Sequence, residues 1–508
     1  MKKRIVLFTL LLPLLLLSGC WQEEEQESPE LLPASQEEAG KPEKATALPE
    51  LFSLPYMPGR TLDPITCGDG VQQVAASLLY EGLFRLDASF TPQPCLCEAY
   101  AYDAETCRYT FTVRAGVVFS DGSPLTGADV RATLERARHS ERYQNRLSGV
   151  SSIRVRDDDV IITLQSPNTG FPALLDIPIV KSGTQDAVAP VGTGPYLYEE
   201  GYLVANQSWW RGSDQPVDRI ALVEASDRDA VLYRFSSHDV QLITTDLTGL
   251  SPVSTTGRVD CLDASTTVMQ YLGCNTARPP LDNAALRQAL WAGINREYLV
   301  SAYLSGHGQA AQFPVSPASP MYPAALNTDY SLEALSIALN AAGPLPERPL
   351  SLLVNQENNF KTAIAAYLAE SLTAAGLPVE VQALPWEEYI AALAAGNFDL
   401  YYGEVRLGAD WDLSSLLLPG GTLNYGDWSD PETDRLMTVL AASEDRPAAM
   451  SDLCAYLQKQ APILPLCFKS ISVLTQADVV EDLQSTAAEP LYNLETCTIH
   501  LRETALDS

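Results

Sequence analysis

Apolar and polar residues alternate along several short segments of the chain, which predicts β-strands. The clearest case is 109–114, where aromatic and β-branched residues alternate with polar ones, a pattern typical of a half-buried strand. Short apolar runs predict further strands at 160–164, 268–272, 350–354, 378–384 and 398–402. A turn at Gly192-Thr-Gly194 leads into another expected strand.

Apolar residues four apart, together with N-terminal capping residues, predict the helices. Leu286, Leu290 and Ile294 mark one buried face, and Asp282 is the expected cap of that helix. Further caps are expected at Thr126, which has Asp129 three residues later, at Asn295, and at Asp430 before Pro431. Helices over 360–375 and 386–395 alternate with the strands between 350 and 405. This order predicts a βαβ-type half with a largely parallel sheet.

The N-terminus has the pattern of an export signal. Lys2, Lys3 and Arg4 precede an apolar core at 5–17, which is too short to span a membrane. Leu17-Ser18-Gly19-Cys20 resembles the bacterial lipobox, in which the signal (here 1–19) is removed and the cysteine (here Cys20) receives lipid. The alternative is a non-lipidated signal with a chance cysteine. Lipidation would localise the protein to the extracytoplasmic face of a membrane, at the cell surface or in the periplasm.

Composition narrows the class of protein further. Residues 20–50 are rich in Glu, Gln, Pro, Ser and Ala, so we expect a flexible, acidic tether before a folded body that begins near residue 51. The 508-residue chain is too long for one small domain and predicts two or three. The 33 basic against 64 acidic residues give a formal net charge of −31, which argues against binding of nucleic acid.

The residues with catalytic or metal-binding potential do not form a recognisable motif. No phosphate loop, Gly-x-Ser-x-Gly or His-Glu-x-x-His motif occurs, and we predict a protein that is not an enzyme and has no metal or cofactor. Nine cysteines follow Cys20, and two interpretations stay open: buried small apolar side chains, or one or two disulfides. The nine are Cys67, Cys95, Cys97, Cys107, Cys261, Cys274, Cys454, Cys467 and Cys497.

The order of several motifs resembles one family of proteins, the family 5 solute-binding proteins of ABC importers (the peptide, oligopeptide and nickel class). The resemblance covers about 51–500, and most of its motifs are turns, caps and strands. The motifs are Leu62-Asp63-Pro64; Tyr80-Glu81-Gly82-Leu83-Phe84-Arg85-Leu86; 109–126 with Asp129-Val130; Gly192-Thr193-Gly194-Pro195-Tyr196; 286–290 with 294–297; Asn424-Tyr425 with 430–436; and Pro465-Leu466.

The resemblance implies a bilobal α/β fold of the periplasmic-binding-protein type (type II, large cluster with an extra inserted subdomain). The two lobes would be joined by a hinge near 268–275 and 460–466, with ligand held between them. The implied boundaries are 51–75, 190–272 and 463–508 for lobe I, 76–189 for the subdomain inserted in it, and 273–462 for lobe II.

The resemblance also implies a function and candidate ligand-binding residues. We expect a monomer that binds a short peptide and delivers it to an ABC permease and ATPase. Relatives that bind peptides use an Asp before an aromatic residue for the peptide ammonium, and Asp410-Trp411 matches that pair. Further candidates are Arg406, Tyr271 and Glu81, whereas Trp386 is expected to pack. Alternatives are chelated nickel, an opine or an oligosaccharide as ligand, a ligand sensor, and a secreted hydrolase.

Overall fold

The computed structural model describes residues 48–248 and 257–502, and these residues form a mixed α/β structure. The strands are β1 Ser53–Tyr56, β2 Phe84–Leu86, β3 Pro92–Pro94, β4 Cys97–Asp103, β5 Arg108–Val113, β6 Val150–Arg156, β7 Asp159–Leu164, β8 Tyr196–Glu199, β9 Tyr202–Ala205, β10 Arg219–Glu224, β11 Leu242–Thr245, β12 Val259–Cys274, β13 Gly308–Ala310, β14 Leu350–Asn355, β15 Val379–Leu384, β16 Leu400–Arg406, β17 Ile463–Gln476, β18 Val480–Glu481 and β19 Thr498–Ile499.

The helices are distributed along the same described segments. They are α1 Gly70–Ala76, α2 Gly127–Ala137, α3 Arg228–Ser236, α4 Ala284–Ala292, α5 Arg296–Tyr303, α6 Leu332–Ala341, α7 Asn359–Ala374, α8 Trp386–Ala394, α9 Ser414–Leu417, α10 Pro431–Ala442 and α11 Arg446–Gln460, with 3₁₀ turns at Phe171–Leu174 and Ala324–Leu326. None of the helices in the described ranges is long and apolar enough to cross a membrane.

Two long antiparallel strands, β12 and β17, form the middle of the largest sheet. Its strand order is β11-β17-β12-β16-β14-β15, and β13 adds to β17. β14 is parallel to both β15 and β16, which confirms the predicted βαβ half. Strand β16 begins and ends later than the predicted 398–402, because all seven of its residues pair with β12 up to Val268 opposite Arg406. This longer strand places Arg406 at the end of β16, four residues before Asp410.

Most predicted helix caps are confirmed by hydrogen bonds, and one is wrong. The main-chain N–H of Thr126 donates to Asp129 at 3.1 Å, and that of Tyr298 donates to Asn295 at 3.1 Å. The predicted cap at Asp282 is wrong, because the next residue, Asn283, accepts the bond from Ala285. Asn and Asp are about equally good N-caps, so adjacent candidates could not be ranked from their residue types.

The buried side chains of the described residues form several apolar clusters. The insert core lies between Ile65 and Ile179 around the sheet β4-β5-β7-β6, and the central core extends from Met269 to Phe468. A third cluster collects residues from 52–80, 180–242 and 473–499 around the sheet β1-β10-β9-β8. The residues of these clusters come from parts of the chain similar to those expected for the insert and the two lobes. The exact lobe boundaries stay a prediction. Residues 1–19 and Cys20 lie outside the described residues.

Candidate functional site

Asp410 lies in a junction between the insert core and the central core, four residues after the end of β16. Its side chain is buried, and one carboxylate oxygen accepts a hydrogen bond from Asn168 Nδ2 at 2.8 Å. Its main-chain oxygen accepts a bond from the Arg446 guanidinium. Burial raises the pKa of Asp410, and the Asn168 hydrogen bond partly opposes that rise. The carboxylate is therefore held in a low-dielectric site with few partners.

The loop that supplies Asn168 is fastened to the central core by main-chain contacts. The Thr169 N–H donates to the carbonyl of Ala441 at 2.9 Å, and the Thr169 hydroxyl donates to the carbonyl of Ser443 at 2.6 Å. Within the insert, the hydroxyl of Tyr109 donates to the Asn168 carbonyl at 2.9 Å. These bonds hold the loop in place where Asn168 donates to Asp410. A molecule that reaches Asp410 must displace or open these contacts.

Three arginines lie close together beside this junction. The side chain of Arg406 is exposed and has no hydrogen-bond partner within 48–248 and 257–502, yet burial and the charge of Arg142 lower the pKa of Arg406. Arg142 donates to the Cys67 carbonyl at 3.0 Å, and Arg146 forms an ion pair with Asp176. Arg146 is also within electrostatic range of Asp410.

Trp411 is a buried neighbour of the candidate site and not an exposed wall. Its side chain is 1% exposed and makes edge-to-face contacts with Phe90, at 5.3 Å between ring centroids, and with Phe468, at 6.1 Å. Phe90 precedes β3, whereas Phe468 belongs to β17, so the Trp411 ring joins separate segments of the chain. Its backbone has φ of 56°, a strained value for a large residue.

Tyr271 lies in the central core, where it forms a reciprocal pair with Tyr401. On adjacent strands, Tyr271 is opposite Gly403 and Tyr401 is opposite Gly273, so each ring covers a glycine of the other strand. The two hydroxyls are 3.3 Å apart, and Tyr271 is 2% exposed. Burial raises the pKa of Tyr271 to about 12. This side chain has almost no surface for a ligand in the conformation described.

Glu81 is surrounded by donors from the protein itself. Its oxygens accept hydrogen bonds from Thr193 at 3.0 Å, from Trp210 Nε1 at 2.7 Å and from Trp209 Nε1 at 3.4 Å. The guanidinium of Arg211 lies 3.6 Å away. With its side chain buried and its oxygens satisfied, Glu81 acts in this conformation as an internal anchor between the start of the insert and the turn before β8.

The structure therefore brings together some of the predicted site residues and separates others. Asp410, Trp411 and Arg406 belong to one junction, whereas Tyr271 and Glu81 form their hydrogen bonds elsewhere. Sequence reasoning missed Asn168, Arg142 and Arg146, which have no motif to mark them. The expected packing of Trp386 is wrong: the side chain is 57% exposed, because this residue opens α8 on the solvent side.

The cysteines behave as small apolar side chains in the described residues. All nine are free thiols, and seven are buried, whereas Cys107 is half-buried and Cys261 is exposed. Of the two interpretations left open by the sequence, the structure favours buried thiols over disulfides.

Comparison with known proteins agrees with this architecture. The profile of the bacterial extracellular solute-binding proteins, family 5 (middle region), matches residues 91–425, about two thirds of the chain. The glutathione-binding protein GsiB of Escherichia coli strain K12 is 25% identical over 448 residues, which cover 81% of this chain and 87% of that protein. GsiB of Salmonella typhi matches with the same identity and coverage.

Two solved structures have the same fold as this chain. A nickel ABC transporter protein from Bacillus halodurans superimposes with a TM-score of 0.73 and 22% identity, covering 86% of this chain and 97% of its own. The oligopeptide-binding protein AppA of Bacillus subtilis, solved with a nonapeptide, gives a TM-score of 0.60 and 20% identity. The match covers 89% of this chain and 99% of AppA.

The likeness to solved structures confirms the predicted bilobal α/β fold, and the matching family profile defines an extracytoplasmic solute-binding protein of the ABC-transporter class. The chain belongs to the bacterial extracellular solute-binding proteins, family 5. That family consists of solute-binding proteins and not of enzymes.

Proposed function

We propose that this protein is a lipid-anchored binding subunit of an ABC importer that captures a short peptide and delivers it to the permease and ATPase. The peptide would bind between lobe I (51–75, 190–272 and 463–508, with the insert 76–189) and lobe II (273–462). Anchoring through Cys20 would keep the monomer at the extracytoplasmic face of the membrane, with 20–50 as its tether.

One observation supports a peptide above all: a buried carboxylate, Asp410, and a guanidinium without a hydrogen-bond partner among the described residues, Arg406, lie four residues apart in the chain at the same junction. Asp410 would hold the peptide ammonium in place of the Asn168 hydrogen bond. Arg406 would hold the carboxylate, and Arg142 and Arg146 would add positive potential beside it. A zwitterionic ligand matches this arrangement of charges, whereas a neutral sugar would use neither.

The arginine cluster favours a small peptide with more than one carboxylate. Arg146 is paired with Asp176, whereas Arg406 and Arg142 have no ion-pair partner among the described residues, so these two provide local positive charge in a chain whose net charge is −31. The relatives named glutathione-binding proteins bind a short anionic peptide of this kind. Trp411 and Tyr271 would serve as rigid packing behind the site, and Glu81 would hold the insert in place without contacting the ligand.

The test is calorimetry of the parent protein against a panel of ligands. The panel contains glutathione, di- to octapeptides, opines, oligosaccharides and chelated nickel. We expect one peptide to bind per chain and to be recovered unmodified after long incubation. Recovery of a hydrolysed product would instead indicate a secreted hydrolase. Binding restricted to an opine, a sugar or chelated nickel would refute the peptide proposal. Function as a ligand sensor would be indicated if the protein restores no uptake in cells that contain the transporter.

Variants of one loop test the role of Asp410. Asp410→Ala should weaken peptide binding by about 2–5 kcal/mol, because it leaves the ammonium unpaired in a desolvated site. Asp412→Asn is the matched control, since it removes a negative charge from the same loop at an exposed side chain that accepts the Ser414 N–H, and removing that charge does not disfavour the ionised form of Asp410. Acetylation of the peptide N-terminus should weaken binding to the parent protein by a similar free energy. The same acetylation should weaken binding to Asp410→Ala only slightly further. Equal affinity of the parent and Asp410→Ala would remove Asp410 from the site.

A further inference from the structure

A cysteine, an aspartate and a histidine meet on one face of the largest sheet. Cys261 and Asp263 are alternate residues of β12, so their side chains extend from the same face of the strand. His307 comes from the turn between α5 and β13. One donor atom from each residue, Sγ, a carboxylate oxygen and a ring nitrogen, lies within 4.8 Å of the other two. We call this group the Cys261–Asp263–His307 cluster.

The donor atoms already face one another. Nδ1 of His307 is 2.9 Å from one carboxylate oxygen of Asp263 and 3.1 Å from the other. The thiol of Cys261 is 4.0 Å from the nearer oxygen of Asp263. A tetrahedral ion with bonds of about 2.0–2.3 Å separates its ligand atoms by about 3.3–3.5 Å. Side-chain shifts of less than about 1 Å would therefore convert these contacts into a coordination shell.

The surroundings orient the cluster and leave it open to solvent. Ser472, which is opposite Asp263 on β17, donates its hydroxyl proton to the Asp263 carboxylate at 2.6 Å. Such an outer hydrogen bond fixes the direction in which a ligating carboxylate points. Cys261 and Asp263 are exposed and His307 is half-buried, so an ion has direct access.

The cluster is separate from the junction at Asp410. It occupies residues 259–265 of β12, which pair with β17 at 470–476, whereas residues 268–274 of β12 pair with β16. His307 belongs to a different segment, the turn that precedes β13, and β13 itself pairs with β17 at 467–469. An ion held by all three residues would therefore cross-link β12 to that turn over the face of β17.

We propose that the Cys261–Asp263–His307 cluster is a Zn²⁺ site with water as the fourth ligand. Sulfur, nitrogen and oxygen donors in a tetrahedral set suit Zn²⁺, and three protein ligands leave one position open. On binding, the Cys261 thiol releases its proton to solvent. The ion also takes the place of the proton through which Nδ1 of His307 contacts the Asp263 carboxylate. That proton leaves to solvent, and the ring coordinates through Nδ1 as a neutral imidazole with its one proton on Nε2, which a doubly protonated ring already holds and a singly protonated ring takes up from solvent. The site requires no peptide ligand, so it stands whether or not the proposed function is right.

Metal binding by the exported, full-length protein and three variants tests the site. The parent should bind one Zn²⁺ per chain by calorimetry, and Co²⁺ in its place should give a thiolate-to-cobalt charge-transfer band in the near ultraviolet. Cys261→Ser and His307→Ala should each weaken Zn²⁺ binding at least about tenfold, and Cys261→Ser should abolish the band. Cys107→Ser, which changes a half-buried thiol in the insert, should retain both the Zn²⁺ affinity and the cobalt band of the parent.

Thermal unfolding separates loss of the site from loss of the fold. Zn²⁺ should raise the melting temperature of the parent and of Cys107→Ser, because it binds the folded state, but not that of Cys261→Ser. Equal melting temperatures of all variants without metal would establish that they fold. The proposal is overturned if the parent shows no saturable Zn²⁺ binding, or if Cys261→Ser and His307→Ala bind as the parent does. The second result would leave His307 and Asp263 as a simple hydrogen-bonded pair.

Discussion

Replacing Gly273 by alanine should destabilise the central core, because the new methyl group would occupy the place of a buried ring. A Cβ built on Gly273 lies 2.0 Å from Cε1 and 2.2 Å from Cζ of Tyr401. The ring must therefore move by more than about 1 Å to reach an ordinary contact distance. Tyr401 is 2% exposed and packs edge-to-face against Phe398, Tyr425 and Tyr271, so it has little free space to enter.

The change in the free energy of unfolding follows from two destabilising contributions and one stabilising contribution. Overpacking of a filled core costs about 1–3 kcal/mol. Displacing the Tyr401 hydroxyl weakens its contacts with Tyr271 and with the Leu423 carbonyl, each worth about 0.5–1.5 kcal/mol. Alanine in place of glycine within a strand returns about 0.5–1 kcal/mol. Together these predict a loss of about 1–5 kcal/mol in the free energy of unfolding.

Urea unfolding followed by circular dichroism measures this loss. Gly149→Ala is the control, since a Cβ at Gly149 has no neighbour within 4 Å, and this variant should change stability by less than about 1 kcal/mol. Tyr401→Leu should lower the free energy of unfolding less in the Gly273→Ala protein than in the parent, because the smaller leucine side chain leaves room for the alanine methyl group. The reasoning is refuted if Gly273→Ala unfolds at the same urea concentration as the parent.

Three further predictions concern ligand binding and location. Peptide affinity should fall as the pH drops through the pKa of Asp410, because only the ionised carboxylate binds an ammonium. Since burial raises that pKa, the loss of affinity should begin at a higher pH than for an exposed aspartate, and Asp410→Asn should not show this pH dependence. Saturating peptide should shrink the radius of gyration in small-angle scattering, and an unchanged profile would argue against closure about β12 and β17. Cys20→Ala should release the protein from membranes, and continued membrane retention would exclude the lipid anchor.

The predicted caps and strands depended on interactions between near neighbours in the chain. Thr126 with Asp129, and Asn295 with the Tyr298 N–H, are contacts within one helical turn, so residue types and spacing suffice to predict them. The wrong helix cap at Asp282 has the same origin, because the adjacent residues Asp282 and Asn283 are both of a type that caps helices. The order of such motifs also sufficed to recognise the family, since turns and caps recur wherever the same fold is built.

The environment of each candidate site residue depended on contacts between distant parts of the chain. Asn168 is 242 residues before Asp410, and the tryptophan donors of Glu81 are 128 and 129 residues after it. Whether a carboxylate faces a ligand or an internal donor is decided by which distant segment packs against it. A local pattern contains no information on that packing. The sequence alone therefore determined the elements, the family and the candidates Asp410 and Arg406, whereas only the tertiary structure assembled the arginine cluster and enclosed Glu81 and Tyr271.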